Sequence, residues 1–131
     1  MPGSFNNYAR KVRDAQLPLS VRAGALRSSL LKYCGVAGEP SYVKLLVHLS
    51  RLIGADLQSN AQEKHLLAVL YKIEVARNHI LRLQDNYARK RIRQKMRGKR
   101  SPTLADILAT QEAIERVKRE ANLIPPFLHP S

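Results

Sequence analysis

Between residues 66 and 87, apolar side chains recur at the spacing of a helix that packs against other helices, and this pattern constrains the fold more than any other. One set of positions repeats every seven residues and a second set lies between them. The residues are Leu66, Ile73, Ile80 and Tyr87, with Val69, Ala76 and Leu83 between them. Such a stripe buries one side of a helix over several turns. The sequence therefore predicts a long amphipathic helix, and we call these seven positions the seam.

The expected start of this helix is Asn60, with Glu63 three residues later as a capping-box-like partner. Its end is open, because a helix from Asn60 to Arg97 would be about 57 Å long. A compact domain of this size is only about 36 Å across. The helix must therefore project beyond the bundle or break, and Leu83–Ala88 contains Asp85 and Asn86 as possible new N-caps.

Three further helices precede the seam. The first covers residues 5–16 and stops before Pro18. The second runs from a cap at Ser20 to Cys34, with Gly35 as its stop. The third opens at Pro40 and ends at Gly54. Because the third helix is apolar around most of its circumference, we expect it to be buried.

A fifth helix follows Ser101, a possible cap, and Pro102 in the first turn. Its apolar side is Leu104, Ile107, Leu108, Ile114, Val117 and Ala121. We expect the seam to pack against the third and fifth helices.

Together these elements predict an all-α fold, a small bundle of four to five helices with a basic helical segment and an extended C-terminal tail. With 131 residues the chain is long enough for one domain. Residues 1–35 are predicted to form a basic amphipathic N-terminal segment, residues 36–122 the helical domain, and residues 123–131 the Pro-rich tail. The two Phe and five Tyr, without Trp, also favour helices over a β-sandwich or barrel.

Positive charge is concentrated in residues 89–100, which we call the basic run. The chain has 23 Lys and Arg against 10 Asp and Glu, a net charge of +13. Eight of these cations and no acid lie in the run: Arg89, Lys90, Arg91, Arg93, Lys95, Arg97, Lys99 and Arg100. Such a cluster favours a polyanion, and these eight are the candidate RNA-binding residues. No aromatic residue interrupts the run, so we expect recognition of phosphates or shape rather than base stacking. Ile92 and Met96 form a short apolar stripe able to dock on the domain.

The sequence carries no enzyme signature, and we predict no catalytic site, cofactor or metal. There is no Gly-rich phosphate loop and no HExxH. Cys34 is the sole cysteine, expected to be a buried apolar residue. His65 and His79 would be about 21 Å apart on one helix, too far to bind one metal ion.

The N-terminal segment has the character of a mitochondrial import sequence. Residues 1–35 hold six Lys and Arg and one acid, Asp14, and Phe5, Tyr8, Val12 and Ala15 lie on one side of the first helix. We therefore predict a matrix location with the segment retained. No run of about 18 apolar residues is present, so no transmembrane segment is predicted.

One segment resembles a known family. "VLYKIEVARNHI" (Val69–Ile80) is similar to the Leu-Tyr-Arg motif of the mitochondrial LYR proteins, small basic three-helix adaptors. "RIRQKMRGK" (Arg91–Lys99) resembles the family's second helix, with Leu104–Ala121 as the third. Lys72 replaces the family's arginine, and Met96 replaces its phenylalanine. The resemblance implies that Leu70, Tyr71 and Lys72 form the adaptor motif. It also implies that Arg91, Arg93 and Arg97 face an acidic helix of the mitochondrial acyl carrier protein.

Two functions follow as hypotheses. The first is a structural RNA-binding subunit of a mitochondrial ribosome, which contacts rRNA phosphates and neighbouring proteins. Small size and high basicity resemble mitochondrial ribosomal proteins in general. The second is an LYR-like adaptor or accessory subunit of a respiratory or ATP synthase complex, which binds acyl carrier protein and membrane-complex subunits. A nuclear nucleic-acid-binding protein is the third hypothesis. It ranks last because the N-terminal segment resembles a mitochondrial import sequence, which favours mitochondria over the nucleus.

Overall fold

The chain folds into five α-helices in a computed structural model that describes residues 3–98 and 104–126. They are α1 (Phe5–Arg13), α2 (Leu19–Ala37), α3 (Tyr42–Ile53), α4 (Glu63–Met96) and α5 (Leu104–Glu120). No strand occurs in the described ranges, and the predicted all-α bundle is confirmed. The predicted cap at Ser101 and Pro102 in the first turn lie outside the described residues. None of the described helices combines the length and apolarity needed to span a membrane.

The short first helix begins where the sequence predicts. The Ser4 Oγ accepts a hydrogen bond from the Asn7 backbone N–H at 3.2 Å, which caps α1. The helix ends at Arg13, three residues before its expected end, because the Asp14 side chain accepts the Gln16 N–H at 2.9 Å and forms a turn. The buried residues of α1 are Phe5, Ala9 and Val12. Ala15, expected on this side, is exposed beyond the helix end.

Both predicted ends of α2 were wrong. Pro18, not Ser20, is the N-cap residue, and the helix starts at Leu19. It then continues through Gly35 to Ala37 and ends at Gly38, which adopts the left-handed conformation with φ +68°. A glycine ends a helix only where the chain takes that conformation, and the sequence did not distinguish the two glycines.

The third helix is amphipathic, so the prediction that it is buried around most of its circumference was wrong. Its N-cap is Ser41, so Pro40, expected in the first turn, precedes the helix, which ends at Gly54 as predicted, with φ +71°. Its buried residues are Leu45, Leu46 and Leu49. Val43 and Val47 on the other side are 63% and 42% exposed. Since α3 packs chiefly against α2 at the edge of the bundle, only one of its faces is covered.

The long fourth helix is unbroken through Leu83–Ala88. Its N-cap is Gln62, two residues after the expected start at Asn60, and the Gln62 N–H donates to Nδ1 of His65 at 3.0 Å. Its 34 residues span about 51 Å. The first of the two predicted outcomes, a projecting helix, is therefore the one observed.

The seam is buried, but its main neighbour differs from the prediction. Leu66, Val69, Ile73, Ala76 and Ile80 are at most 1% exposed, whereas the last two seam positions are half-buried. Helix α4 packs most extensively against α2 and next against α5, while α2 also contacts α1 and α3. The central helix is therefore α2, which occupies the place that the sequence assigned to the third helix.

Two buried cations join the ends of the helices. Arg22, 4% exposed, donates from Nε to the Val12 carbonyl at 2.8 Å and pairs with Glu63 at 2.9 Å. Lys118, also 4% exposed, lies 3.3 Å from both the Glu39 carboxylate and the Ala37 carbonyl. Each cation thus neutralises an acid and satisfies a carbonyl at a helix C-terminus.

Candidate nucleic-acid interface

Beyond the last turn of α2, α4 and α5 continue together as a helical hairpin. Gln84 of α4 donates to the Val36 carbonyl in that last turn at 3.1 Å. No residue of α4 after Ile80, and no described residue of α5 before Val117, is buried. We call the part from Asp85 to Met96 in α4 and from Leu104 to Ala113 in α5 the arm.

The arm and the residue after it carry six of the eight predicted RNA-binding residues. Arg89, Lys90, Arg91, Arg93, Lys95 and Arg97 are all exposed. Lys99 and Arg100 lie outside the described residues. The basic run therefore faces solvent where the structure describes it.

Among the described residues, two of these six cations are paired with a carboxylate. Arg89 contacts Asp85 one turn earlier at 3.0 Å, and Lys90 contacts Asp106 of α5 at 2.6 Å. The second contact joins the two helices of the arm. The other four cations have no ion-pair partner within the described ranges: Arg91, Arg93, Lys95 and Arg97. Lys90, Arg93 and Arg97 line one groove, at the spacing of a single helix face.

The expected docking of Ile92 and Met96 on the domain was wrong. Their side chains are 58% and 82% exposed. At about 100° per residue, they are rotated by roughly 120° and 160° from Ile80 in the buried seam. Helix geometry therefore turns this pair away from the core.

All three carboxylates of α4 are paired with arginines. Glu63, Glu74 and Asp85 recur every eleven residues, or about three turns, so they share one face of the helix. Their partners are Arg22, Arg13 and Arg89. The Glu74 carboxylate accepts hydrogen bonds from both terminal nitrogens of Arg13, at 2.7 and 3.1 Å, and this contact raises the pKa of the Arg13 guanidinium. The acids of α4 therefore stabilise the fold and leave the rest of its surface without free negative charge.

A second face of α4 presents arginines to solvent, and the carboxylate at its edge, Asp85, is paired with Arg89. Arg82, Asn86, Arg89, Arg93 and Arg97 succeed one another at intervals of three or four residues, and all five are exposed. They extend over about 22 Å along one side of the helix. We call these five residues the α4 outer face. Arg82 and Asn86 were not predicted from the sequence because they precede the basic run; only an unbroken helix aligns them with it.

The three adaptor-motif residues do not form one surface. Leu70 is fully buried, whereas Tyr71 is 68% exposed. Lys72 donates from Nζ to the Ala121 carbonyl at 2.7 Å, at the C-terminus of α5. Leu70 and Lys72 thus contribute to the fold, whereas the Tyr71 side chain is exposed to solvent.

The remaining chemistry-bearing side chains are dispersed. In the part of the chain that the structure describes, no three His, Cys, Asp or Glu residues form a group able to hold a metal ion. Cys34 is buried, and desolvation, assisted by the nearby Glu39 carboxylate, raises the pKa of its thiol to about 11.

No protein-family model, curated protein or solved structure matches this chain. The function of the chain is therefore inferred from the geometry and charge of its own residues.

Proposed function

We propose that this protein is a structural RNA-binding subunit of a mitochondrial ribosome, which contacts rRNA phosphates through the α4 outer face and the arm. The observation that carries the proposal is the row of exposed arginines on an unbroken helix that continues beyond the bundle, of which Arg82, Arg93 and Arg97 have no ion-pair partner among the described residues. Guanidinium groups bind phosphate oxygens in pairs and release counterions from the RNA.

The shape of the arm supports RNA as the polyanion. A two-helix projection about 18 Å long, taken from the twelve residues of α4 in the arm, can enter a groove or lie between RNA helices. Arg91, Arg93 and Lys95 of the arm, and Arg97 just after it, are exposed and have no ion-pair partner among the described residues, so their charge is available to phosphates. Phosphate contacts position a protein without reading sequence, which suits a structural subunit.

The mitochondrial part of the proposal depends on the basic N-terminal segment. This segment is also part of the core, since Phe5, Ala9 and Val12 are at most 3% exposed and Arg13 pairs with Glu74 of α4. Its removal would expose the seam, which supports retention of the segment after import.

The test is the salt dependence of RNA binding. A short fluorescein-labelled single-stranded RNA is titrated at several salt concentrations with the protein and with the triple variant Arg82→Gln, Arg93→Gln, Arg97→Gln. Each phosphate contact contributes about −0.7 to the slope of log affinity against log salt concentration. The slope for the variant should therefore be less negative by about 2, and this change should be the same for unrelated RNA sequences.

A matched control removes the same number of charges elsewhere. Arg10, Lys32 and Arg116 are exposed, lie off α4 and have no ion pair within the described residues. Their replacement by Gln should leave the slope unchanged. Equal effects of the two triple variants would show non-specific attraction by net charge and contradict the proposal.

Purification of the tagged protein from mitochondria tests the complex itself. We expect rRNA and ribosomal proteins to co-purify with the unchanged protein and not with the triple variant on α4. Recovery of acyl carrier protein with membrane-complex subunits, without rRNA, would instead support the LYR-like adaptor.

A further inference from the structure

A second surface of the protein lies on α3, away from the α4 outer face. Val43 and Val47 stand one turn apart and are 63% and 42% exposed, opposite the buried leucines of the same helix. Two aliphatic side chains in succession give α3 an apolar ridge. The ridge has depressions on both sides, each lined by both valines and Arg51.

The two depressions have walls made by other segments of the chain. On one side the wall is the loop after α3, which includes Gly54, Ala55 and Asp56. On the other side it is Pro125 and Pro126, which follow α5. We call this ridge with its two walls the α3 groove.

The second wall is held in place by the core. Leu123, just before it, is fully buried, and His48 of α3 lies with Nε2 3.0 Å from the Asn122 carbonyl oxygen. Asn122 has φ +56°, and the Leu123 N–H donates to the Lys118 carbonyl at 2.8 Å, so α5 ends there in a defined left-handed turn. The groove is therefore a formed surface rather than a single exposed side chain.

The charge of the groove is positive. Lys44 and Arg51 flank the ridge and lie about 10 Å apart along α3. Neither has an ion-pair partner among the described residues. The lining carboxylate, Asp56, accepts the Gln58 N–H and the Ser59 hydroxyl, both at 2.9 Å, and is engaged in its own loop. The groove thus combines an apolar floor with two free cations.

We propose that the α3 groove binds an acidic amphipathic helix of a neighbouring protein. Apolar side chains of that helix, three or four residues apart, would pack beside Val43 and Val47, and carboxylates would reach Lys44 and Arg51. A helix fits better than a β-strand, because α3 has no free backbone edge to pair with. It also fits better than RNA, because the groove is mainly apolar and the aromatic ring in its lining, the imidazole of His48, is held against the Asn122 carbonyl. This inference does not rest on the RNA-binding proposal, since it uses a separate face.

A designed peptide tests the chemistry. The probe is a fluorescein-labelled helical peptide with leucine on one face and glutamate elsewhere, and its control has the same composition in shuffled order. The protein should bind the patterned peptide about tenfold more tightly than the shuffled one. The variant Val43→Gln, Val47→Gln should lose this preference, with its circular dichroism unchanged.

The control variant changes two aliphatic residues of matching exposure on α2. Val21 and Leu31 are 46% and 54% exposed, and Val21→Gln, Leu31→Gln should keep the full preference. Equal binding of the two peptides, or equal loss in the two protein variants, would overturn the proposal.

Photo-crosslinking in the native cells identifies the occupant. With benzoylphenylalanine in place of Val43, the proposal expects adducts to a segment of another protein that has apolar residues at helical spacing and an excess of Asp and Glu. Adducts to residues 127–131 of the same chain, to a second copy or to RNA would each overturn it, as would the absence of any adduct.

Discussion

Replacement of Lys118 by methionine should destabilise the protein strongly, although it keeps the apolar length of the side chain. The Lys118 side chain is 6% exposed, and that of its partner Glu39 is 10% exposed. Removal of one member of such a buried pair leaves the other charge uncompensated, at a cost of about 3–5 kcal/mol. The contact with Glu115 adds little, because that side chain is 50% exposed. We therefore expect Lys118→Met to lower the free energy of unfolding by about 3–5 kcal/mol.

The double variant Lys118→Met, Glu39→Gln separates the buried charge from lost packing. It removes both charges, so the loss should fall below about 1.5 kcal/mol. Urea unfolding followed by circular dichroism measures the unchanged protein, Lys118→Met, Glu39→Gln and the double variant, and unchanged slopes against urea concentration would show that compactness is preserved. The reasoning would be refuted if Lys118→Met lowered the free energy of unfolding by less than about 1 kcal/mol. It would also be refuted if the loss in the double variant equalled the sum of the losses in the two single variants.

Two further predictions concern α2. Gly38 has φ +68° whereas Gly35 lies within the helix, and an added Cβ at either meets nothing within 4 Å. Gly38→Ala should thus lower the free energy of unfolding by about 1–2 kcal/mol, whereas Gly35→Ala should raise it by about 0.5–1 kcal/mol. Thermal unfolding measures both variants. A less stable Gly35→Ala and a more stable Gly38→Ala would contradict the observed helix end. Burial raises the pKa of the Cys34 thiol to about 11 from 9.0. As the pH rises, the thiol therefore loses its proton in the unfolded chain before it does so in the folded protein. The free energy of unfolding should accordingly fall between about pH 9 and pH 11. A Cys34→Ala variant should show a smaller fall over the same range, and an identical fall would exclude this thiol as its cause.

The two proposed surfaces differ in how their cations are used. On the α4 outer face, Arg82, Arg93 and Arg97 are exposed and have no ion-pair partner among the described residues, which suits a phosphate backbone. On α3, two cations border an apolar ridge, which suits an acidic helix. The acids of α4 are meanwhile paired with Arg13, Arg22 and Arg89. The same residue types therefore stabilise the fold in one place and remain available to partners in another.

Local pattern alone determined the helical class, the seam and the exposed basic run. The seam residues from Leu66 to Ile80 are buried as predicted, because helical periodicity places them on one face whatever they pack against. Gly54 ends α3 as predicted for a similar reason, since a left-handed glycine is a local solution to a helix end.

Tertiary structure decided which helix covers the seam, how far α4 continues and which apolar faces stay open. Periodicity shows that a face is apolar but not which partner covers it, so α3 was expected at the centre where α2 lies. The absence of a break near Asp85 is likewise a tertiary result, because α5 runs beside α4 and Lys90 pairs with Asp106 across the arm. That unbroken helix alone brings Arg82 into line with Arg93. The physical reason is that helix propensity acts within a few residues, whereas the partner of a face depends on how the whole chain buries its apolar surface.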